Sequence, residues 1–168
     1  MTIAEENYLK AIYKLSKNNT KSVSTNSISN EMSTSAASVT DMLKRLAEKE
    51  MVGYQKYKGV KLTADGLEKA KSMVRNHRLW EVFLVEKLNF GWDEIHDIAE
   101  ELEHINSEEL IARLDSFLGN PQFDPHGDPI PDAKGKMQSR SKTLLTQVKI
   151  NQKCTVVGVE DTSRSFLQ

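Results

Sequence analysis

The sequence is poor in cysteine and has no long apolar run. Cys154 is the single cysteine among 168 residues, which excludes an internal disulfide framework, and secreted chains of this size more often carry paired thiols. No stretch approaches the roughly 20 apolar residues that span a bilayer. The N-terminus, MTIAEENYLKAIYKL, also lacks the basic and apolar segments of a signal peptide. These absences predict a cytoplasmic protein that neither crosses nor binds a membrane.

The chain has almost no net charge, but its charges are unevenly distributed. Residues 1–62 carry ten Lys/Arg and six Asp/Glu, whereas residues 63–110 carry five Lys/Arg and twelve Asp/Glu. A basic segment favours contact with a polyanion, and an acidic segment favours contact with cations. The division therefore indicates two parts with different partners.

The first third of the chain has the pattern of a small DNA-binding domain. Apolar spacing and turn residues predict helices over about 3–17, 25–32 and 36–50, and MVGYQKYKGVKLT predicts a hairpin over 52–63. The order helix, helix, small-residue turn, helix and basic hairpin is that of a winged helix-turn-helix. The alternative is a helical hairpin with a solvated basic edge.

Small, hydroxylic and basic residues on the third helix and the hairpin are the candidate DNA contacts. Small and hydroxylic side chains allow close approach to base edges, and Lys and Arg bind phosphates. The predicted DNA-binding residues are Ser35, Ala37, Ser38, Thr40, Asp41, Lys44, Arg45, Lys56, Lys58 and Lys61.

The rest of the chain is predicted to be helical up to a proline-rich segment. Helices are expected over about 64–88, 93–104 and 108–118, and all four prolines follow between 121 and 131. Beyond them, LLTQVKINQKCTVVGVED predicts one or two strands.

The stretch HDIAEELEHI, at 96–105, combines two imidazoles with several carboxylates on a predicted helix. His96, Glu100, Glu103 and His104 share one arc beside the apolar face. A polar arc rich in Glu is also what any solvated helix face shows, so the periodicity leaves both interpretations open. The absence of Lys and Arg from residues 93–104 favours a bound cation.

Two further pairs strengthen the metal hypothesis. His77 and Glu81 lie one helical turn apart in NHRLWEVFL, and Asp124 and His126 lie in the proline-bounded loop FDPHGD. Helical spacing places the first pair on one face, and the loop could fold back over it. Loop Asp and His residues are also common for ordinary turn reasons.

Together these motifs resemble the diphtheria-toxin-repressor family of metal-dependent transcriptional regulators, particularly its manganese-responsive members. The resemblance covers about residues 4–135 and is carried by EENYLKAIYKL, SAASVTDMLKRLAEKEMV, YKGVKLTADG, NHRLWEVFL, HDIAEELEHINSEEL and FDPHGDPIP, in that order. It implies a mainly α fold with a winged helix-turn-helix domain at 1–63 and a helical metal-binding and dimerisation domain at 64–135. Residues 136–168 would be a linker and the start of a small, incomplete SH3-like β segment.

The resemblance also implies two metal sites. The primary site would contain Asn7, Glu100, Glu103 and His104, and the ancillary site His77, Glu81, Asp124 and His126, with His96 as an additional ligand. Asn7 stands where relatives usually present a carboxylate or a thioether. Lys10 stands where the binuclear manganese regulators are acidic.

The expected function is that of a homodimeric repressor that binds a palindromic double-stranded DNA operator when loaded with metal. Imidazole and oxygen ligands favour Mn(II), with Fe(II) as the second choice, and Zn(II), Co(II) or Ni(II) would substitute in vitro. One alternative is a winged-helix regulator that senses a small organic ligand without metal. Another is a di-metal carboxylate enzyme, since ELEH spells Glu-x-x-His, but that chemistry needs a second such motif, and the sequence contains none. The protein is therefore not expected to be an enzyme.

Overall fold

The computed structural model describes residues 1–55 and 58–158, and these are mainly helical. They form two compact units, Met1–Val74 and a second unit that begins at Arg75. The predicted division into three parts at 63 and 135 stays a prediction.

Six helices and one hairpin make up the regular structure of the described residues. Their bounds are α1 Ile3–Leu15, α2 Thr25–Glu31, α3 Ala36–Glu48, β1 Val52–Gln55, β2 Gly59–Leu62, α4 Ala64–Leu88, α5 Ile95–Leu102 and α6 Glu108–Phe117. Each predicted helix and the hairpin are confirmed to within one or two residues at each end, which is the usual uncertainty of helix ends.

Side chains that cap backbone N–H groups fix where most of the helices begin. Thr2 accepts from the backbone N–H of Glu5, whose carboxylate accepts from the backbone N–H of Thr2, so α1 starts with a capping box. Ser24, Ser35 and Ser107 cap α2, α3 and α6 by the same kind of side-chain contact. The caps place the start of the third helix, the predicted reading helix, at Ala36.

The first unit packs α1, α2 and α3 around an apolar core closed by the hairpin. The antiparallel strands pair Val52 with Leu62 and Tyr54 with Val60, and an isolated bridge joins Val23 to Val60. Fully buried core residues include Leu9, Ile12, Ile28, Val39, Leu43, Leu46 and Val60. Their helical spacing on α3 leaves the opposite face of that helix exposed.

The second unit packs the C-terminal part of α4 against α5, α6 and the proline loop 121–131. Its core contains Leu79, Trp80, Val82, Leu84, Ile95, Ala99, Ile111, Leu114, Leu118 and Ile130. None of the described helices has the length and apolar character needed to cross a membrane.

The strands predicted in the tail are wrong for the described part of it. Over 136–158 the structure shows a single turn of 3-10 helix, Leu145–Gln147, and no strand. The apolar residues of this stretch are largely exposed, including Leu145 and Ile150. A strand forms only when a neighbouring strand supplies hydrogen bonds, and among the described residues no strand pairs with residues 136–158. Residues 159–168, the remainder of the predicted β segment, lie outside the described residues.

Candidate metal centres and nucleic-acid interface

The helix α4 presents His77 and Glu81 together on its buried face. They are four residues apart, so their side chains lie one above the other, and Nε2 of His77 is 3.2 Å from Oε1 of Glu81. The opposite ring nitrogen, Nδ1, is 2.6 Å from Oε2 of Glu103 at the end of α5. His77 therefore lies between two buried carboxylates.

Three imidazoles from three parts of the chain converge on one oxygen of Glu81. Besides His77, Nδ1 of His126 lies 3.6 Å from Oε1 and Nδ1 of His96 lies 3.9 Å from it. Burial by itself raises the pKa of Glu81, but the imidazoles of His126, His77 and His96 beside its carboxylate outweigh burial and hold the pKa well below its usual range. Glu81 is thus ionised at neutral pH, as a metal ligand must be.

The proline loop brings Asp124 and His126 to the same carboxylate. The backbone N–H of Asp128 donates to Oδ1 of Asp124 at 2.9 Å, and the Arg78 guanidinium lies 3.2 Å from Oδ2. Nε2 of His126 is 3.4 Å from the backbone oxygen of Trp92, which leaves Nδ1 facing Glu81. Both loop side chains are thereby fixed in orientation, as ligands in preformed sites are.

The charges around the loop shift the pKa values of its two titratable side chains. Burial, and then the negative charge of Glu81, raise the pKa of Asp124 from 3.8 to about 6. The close contact with the Glu81 carboxylate raises the pKa of His126 above its usual value, despite the opposite effect of burial. Protonation of Asp124 or His126 partly neutralises the negative charge of the carboxylates in the cluster, as a bound cation would.

The ligand atoms fall into two groups that share Glu81. His77, Glu81 and His96 form the first, Glu81, Asp124 and His126 form the second, and within each group the ligand atoms lie within 4.8 Å of one another. Two donor atoms about 2.0–2.2 Å from one ion in a tetrahedral site lie about 3.4 Å apart, and Oε1 of Glu81 lies 3.2, 3.6 and 3.9 Å from the facing nitrogens of His77, His126 and His96. The residues therefore fit a divalent transition metal.

This arrangement divides the residues that the family resemblance assigned to one ancillary site. Asp124 and His126 stand in one group and His77 in the other, and His96, proposed as an additional ligand, joins His77. Neither group found among the described residues includes Glu100, Glu103 or His104. The assignment of these residues to metal ions stays a prediction.

The predicted primary-site residues on or directly after α5 differ in how far they are buried. Glu103 is buried, and its Oε1 lies 3.9 Å from Nε2 of His104. Glu100 is exposed, and its Oε1 lies 3.5 Å from Nε2 of His96. Asn7 belongs to the first unit, where it is half-buried on α1. The primary site made of these four residues stays a prediction.

Sequence reasoning missed the residues that hold the candidate ligands in place. Asn76 donates its side-chain amide to the backbone carbonyl of Glu103 at 3.2 Å, and Arg78 holds Asp124. Both residues are adjacent to His77 in the segment NHRLWEVFL. Their position beside a candidate ligand could therefore have identified them from the sequence. The backbone oxygen of Trp92 gives no sequence signal, because every residue has one.

The third helix α3 exposes the predicted DNA-contacting residues. Ser35, Ala37, Ser38, Asp41, Lys44 and Arg45 are exposed, and Thr40 is half-buried. Some of them already have local partners: Thr40 donates to the backbone carbonyl of Ala36, and Lys44 lies 3.4 Å from Asp41. An exposed ion pair such as that of Lys44 with Asp41 contributes little to stability, so Lys44 is able to turn toward a nucleic acid.

Two of the three predicted hairpin lysines can be located. Lys58 and Lys61 are exposed on either side of Gly59 and Val60, whereas Lys56 lies outside the described residues. The residue types and exposure of α3 and the hairpin match a nucleic-acid interface, but contact with DNA by these residues stays a prediction.

The first unit is a winged helix, and the second unit is helical and contains buried imidazole and carboxylate groups. This combination defines the class of metal-responsive DNA-binding proteins. Comparison with known families agrees. The family model described as the N-terminal DNA-binding domain of iron-dependent repressors matches residues 1–60. The model described as their metal-binding and dimerisation domain matches residues 63–132. The chain belongs to the iron-dependent repressor family, to which the diphtheria toxin repressor also belongs.

Individual relatives support this assignment. An uncharacterized HTH-type transcriptional regulator of Methanocaldococcus jannaschii is 33% identical over 118 residues, which cover 70% of this chain and 94% of that protein. The iron-dependent repressor IdeR of Mycobacterium leprae is 31% identical over 126 residues, or 75% of this chain. The matched region spans only 54% of that repressor, so this chain matches about half of its length.

Solved structures give the same result. The fold is similar to that of a manganese-dependent transcriptional repressor in complex with manganese, with a TM-score of 0.83 and 39% sequence identity. The similarity covers 97% of this chain and 75% of that one. The family expected from the sequence motifs and the mainly helical fold are therefore confirmed.

Proposed function

We propose that this protein is a metal-dependent transcriptional repressor that binds a palindromic DNA operator as a homodimer when loaded with Mn(II) or Fe(II). The convergence of His77, His96 and His126 on Glu81, in a chain whose first unit is a winged helix, carries the proposal. Several carboxylates are costly to bury together unless protons or a cation compensate their negative charge. A divalent ion would supply that compensation and join α4, α5 and the proline loop.

The donor atoms support Mn(II) and Fe(II) as the regulating ions. The two groups contain imidazole nitrogen and carboxylate oxygen and no sulfur, and such ligands suit these metals. Zn(II), Co(II) and Ni(II) bind the same donors more tightly in vitro, so selection rests on geometry and on supply in the cell. The similarity to a manganese-dependent repressor in complex with manganese favours Mn(II).

Exposed apolar side chains in the second unit support a dimer. Phe117 on α6 is 65% exposed and Leu110 is 39% exposed, although both belong to a helix whose other face is buried. Apolar groups that stay in water after folding are a common mark of association. A two-fold dimer would present two reading helices to half-sites about one DNA turn, or roughly 34 Å, apart.

Selection of DNA from a random-sequence duplex library tests the proposal. The chain is incubated with the library under anaerobic conditions in parallel with Mn(II), with Fe(II) and with a chelator. Enrichment of a palindromic sequence with either metal, and its loss in chelator, is the expected result. The same enrichment in chelator would instead favour a regulator that ignores metal, and no enrichment in any arm would contradict the DNA-binding proposal.

A further inference from the structure

Glu103 is held at several points by neighbouring backbone and side chains. Its backbone N–H donates to the carbonyl of Ala99 at 2.9 Å, and its own carbonyl accepts from the Asn76 amide at 3.2 Å. Its Oε2 lies 2.6 Å from Nδ1 of His77. Because Asn76 and His77 are adjacent on α4, one short segment of that helix determines the position of both the backbone and the carboxylate of Glu103.

The remaining carboxylate oxygen of Glu103 lies on the side of a second candidate ligand. Oε1 lies 3.9 Å from Nε2 of His104, while Oε2 contacts Nδ1 of His77. The side chain is 1% exposed, so water cannot easily replace either contact. The contacts from α4 thus select the rotamer that points Oε1 toward His104.

His77 connects this carboxylate to the group around Glu81. Its Nε2 lies 3.2 Å from Oε1 of Glu81 and its Nδ1 lies 2.6 Å from Oε2 of Glu103. An imidazole that binds an ion through one nitrogen carries its proton on the other, and that N–H orients the acceptor it faces. An ion bound at Nε2 would therefore leave an N–H at Nδ1 to hold Glu103.

We infer that Asn76 and His77 are positioning residues for Glu103, which orient its carboxylate for metal binding together with His104. This inference rests on the proposed function, because it assumes that Glu103 and His104 bind metal.

Two substitutions of His77 separate its two nitrogens. The amide nitrogen of Asn reaches about the position of Nδ1 and can still donate to Glu103, whereas the amide nitrogen of Gln reaches about the position of Nε2 and cannot. Both are made in a Glu81→Gln chain, where the carboxylate shared by the two groups is gone. Binding of Mn(II) is then measured from the electron paramagnetic resonance signal of the free ion.

The His77→Asn chain is expected to bind Mn(II) at least about tenfold more tightly than the His77→Gln chain, which is the usual effect of losing a partner that orients a ligand. A difference below threefold, or the reverse order, would overturn the inference, because a residue that acted only as a ligand near Glu81 would show no such difference in this background. If the unsubstituted chain bound no Mn(II), both the inference and the proposed function would fail.

Asn76→Ala provides a second measurement that leaves every proposed ligand in place. It removes the amide that holds the Glu103 carbonyl and is expected to weaken Mn(II) binding in the Glu81→Gln chain by threefold or more, with helix content unchanged by circular dichroism. Unchanged affinity would remove Asn76 from the inference. Arg113→Ala, which removes an exposed contact with Glu109, is the matched control and should leave binding unchanged.

Discussion

Nδ1 of His126 lies 3.6 Å from Oε1 of Glu81, although the two residues are 45 positions apart in the chain. The contact joins the proline loop to α4 and makes Glu81 a member of both ligand groups. Neither group can therefore be altered at Glu81 without altering the other.

Glu81→Gln should reduce the number of Mn(II) ions bound per chain, because the amide keeps the shape of the side chain but removes the charge. Asp124→Asn should impair only the second group, and His96→Ala only the first. Equilibrium dialysis with metal analysis distinguishes these outcomes. If Glu81→Gln and Asp124→Asn lowered the stoichiometry equally, and His96→Ala left it unchanged, the first group would not be a binding site.

The raised pKa of Asp124 predicts how the stability of the metal-free protein depends on pH. Since the pKa is about 6 in the folded state and 3.8 in the reference state, the folded protein binds this proton more tightly. The resulting stabilisation is complete below about pH 4 and is lost as pH rises through about 6, by at most about 3 kcal/mol at about 1.4 kcal/mol per unit.

Asp124→Asn removes this titration, so its unfolding free energy relative to the parent chain should rise between pH 4 and pH 7. Urea unfolding followed by tryptophan fluorescence, with chelator present, measures the difference at each pH. Glu81 makes the opposite contribution, because its lowered pKa stabilises the fold as pH rises. A difference independent of pH would contradict the raised pKa.

Replacing Asn7 by Asp should strengthen metal activation if Asn7 is a ligand on α1. A carboxylate attracts a divalent cation more strongly than a neutral amide oxygen, and ligand charge is one way in which proteins tune metal affinity. The Mn(II) concentration that gives half-maximal operator binding should fall by about three- to tenfold. Lys10→Gln, which changes charge on the same helix, is the control: an equal effect of both substitutions would indicate general electrostatics.

Lys61→Gln should weaken binding to every DNA sequence by a similar factor. The residue is exposed on the hairpin, and a lysine that binds a phosphate contributes about one unit to the slope of log affinity against log salt concentration. Ser38→Val, on the exposed face of α3, should instead change which sequences are preferred. Titrations at several salt concentrations separate the two effects, and an unchanged slope for Lys61→Gln would exclude a phosphate contact.

The local pattern of the sequence predicted most of the fold. Helical spacing and capping residues such as Ser35 and Ser107 identified the helices, because these signals act within a few residues of the chain. The prediction of strands in the tail was wrong because a strand depends on a partner strand that can be distant in the sequence. The prediction of the hairpin was right because each strand residue pairs with a residue no more than ten positions along the chain.

The sequence predicted which residues are candidate ligands, but it did not predict how they are arranged in space. Helical spacing places His77 and Glu81 together. The position of His96 depends instead on how α5 is rotated about its axis, and the periodicity of α5 did not decide whether His96 faces the ligands or the solvent. The meeting of His126 with Glu81 depends on the path of the proline loop. Asn76 was missed because a buried amide bonded to a backbone carbonyl leaves no periodic signal.

Two arginines of α4 contact the backbone of the proline loop, in addition to the side-chain contacts of Asp124 and Asp128 with Arg78. Arg78 donates to the carbonyl of Pro129, and Arg75 donates to the carbonyl of Pro131 at 2.7 Å. Backbone carbonyls are present whatever side chains the loop carries, so these two contacts do not depend on which residues occupy the ligand positions. Mutation could therefore exchange Asp124 or His126 for other donors, and retune which ion is preferred, while the same two arginines keep the loop in place.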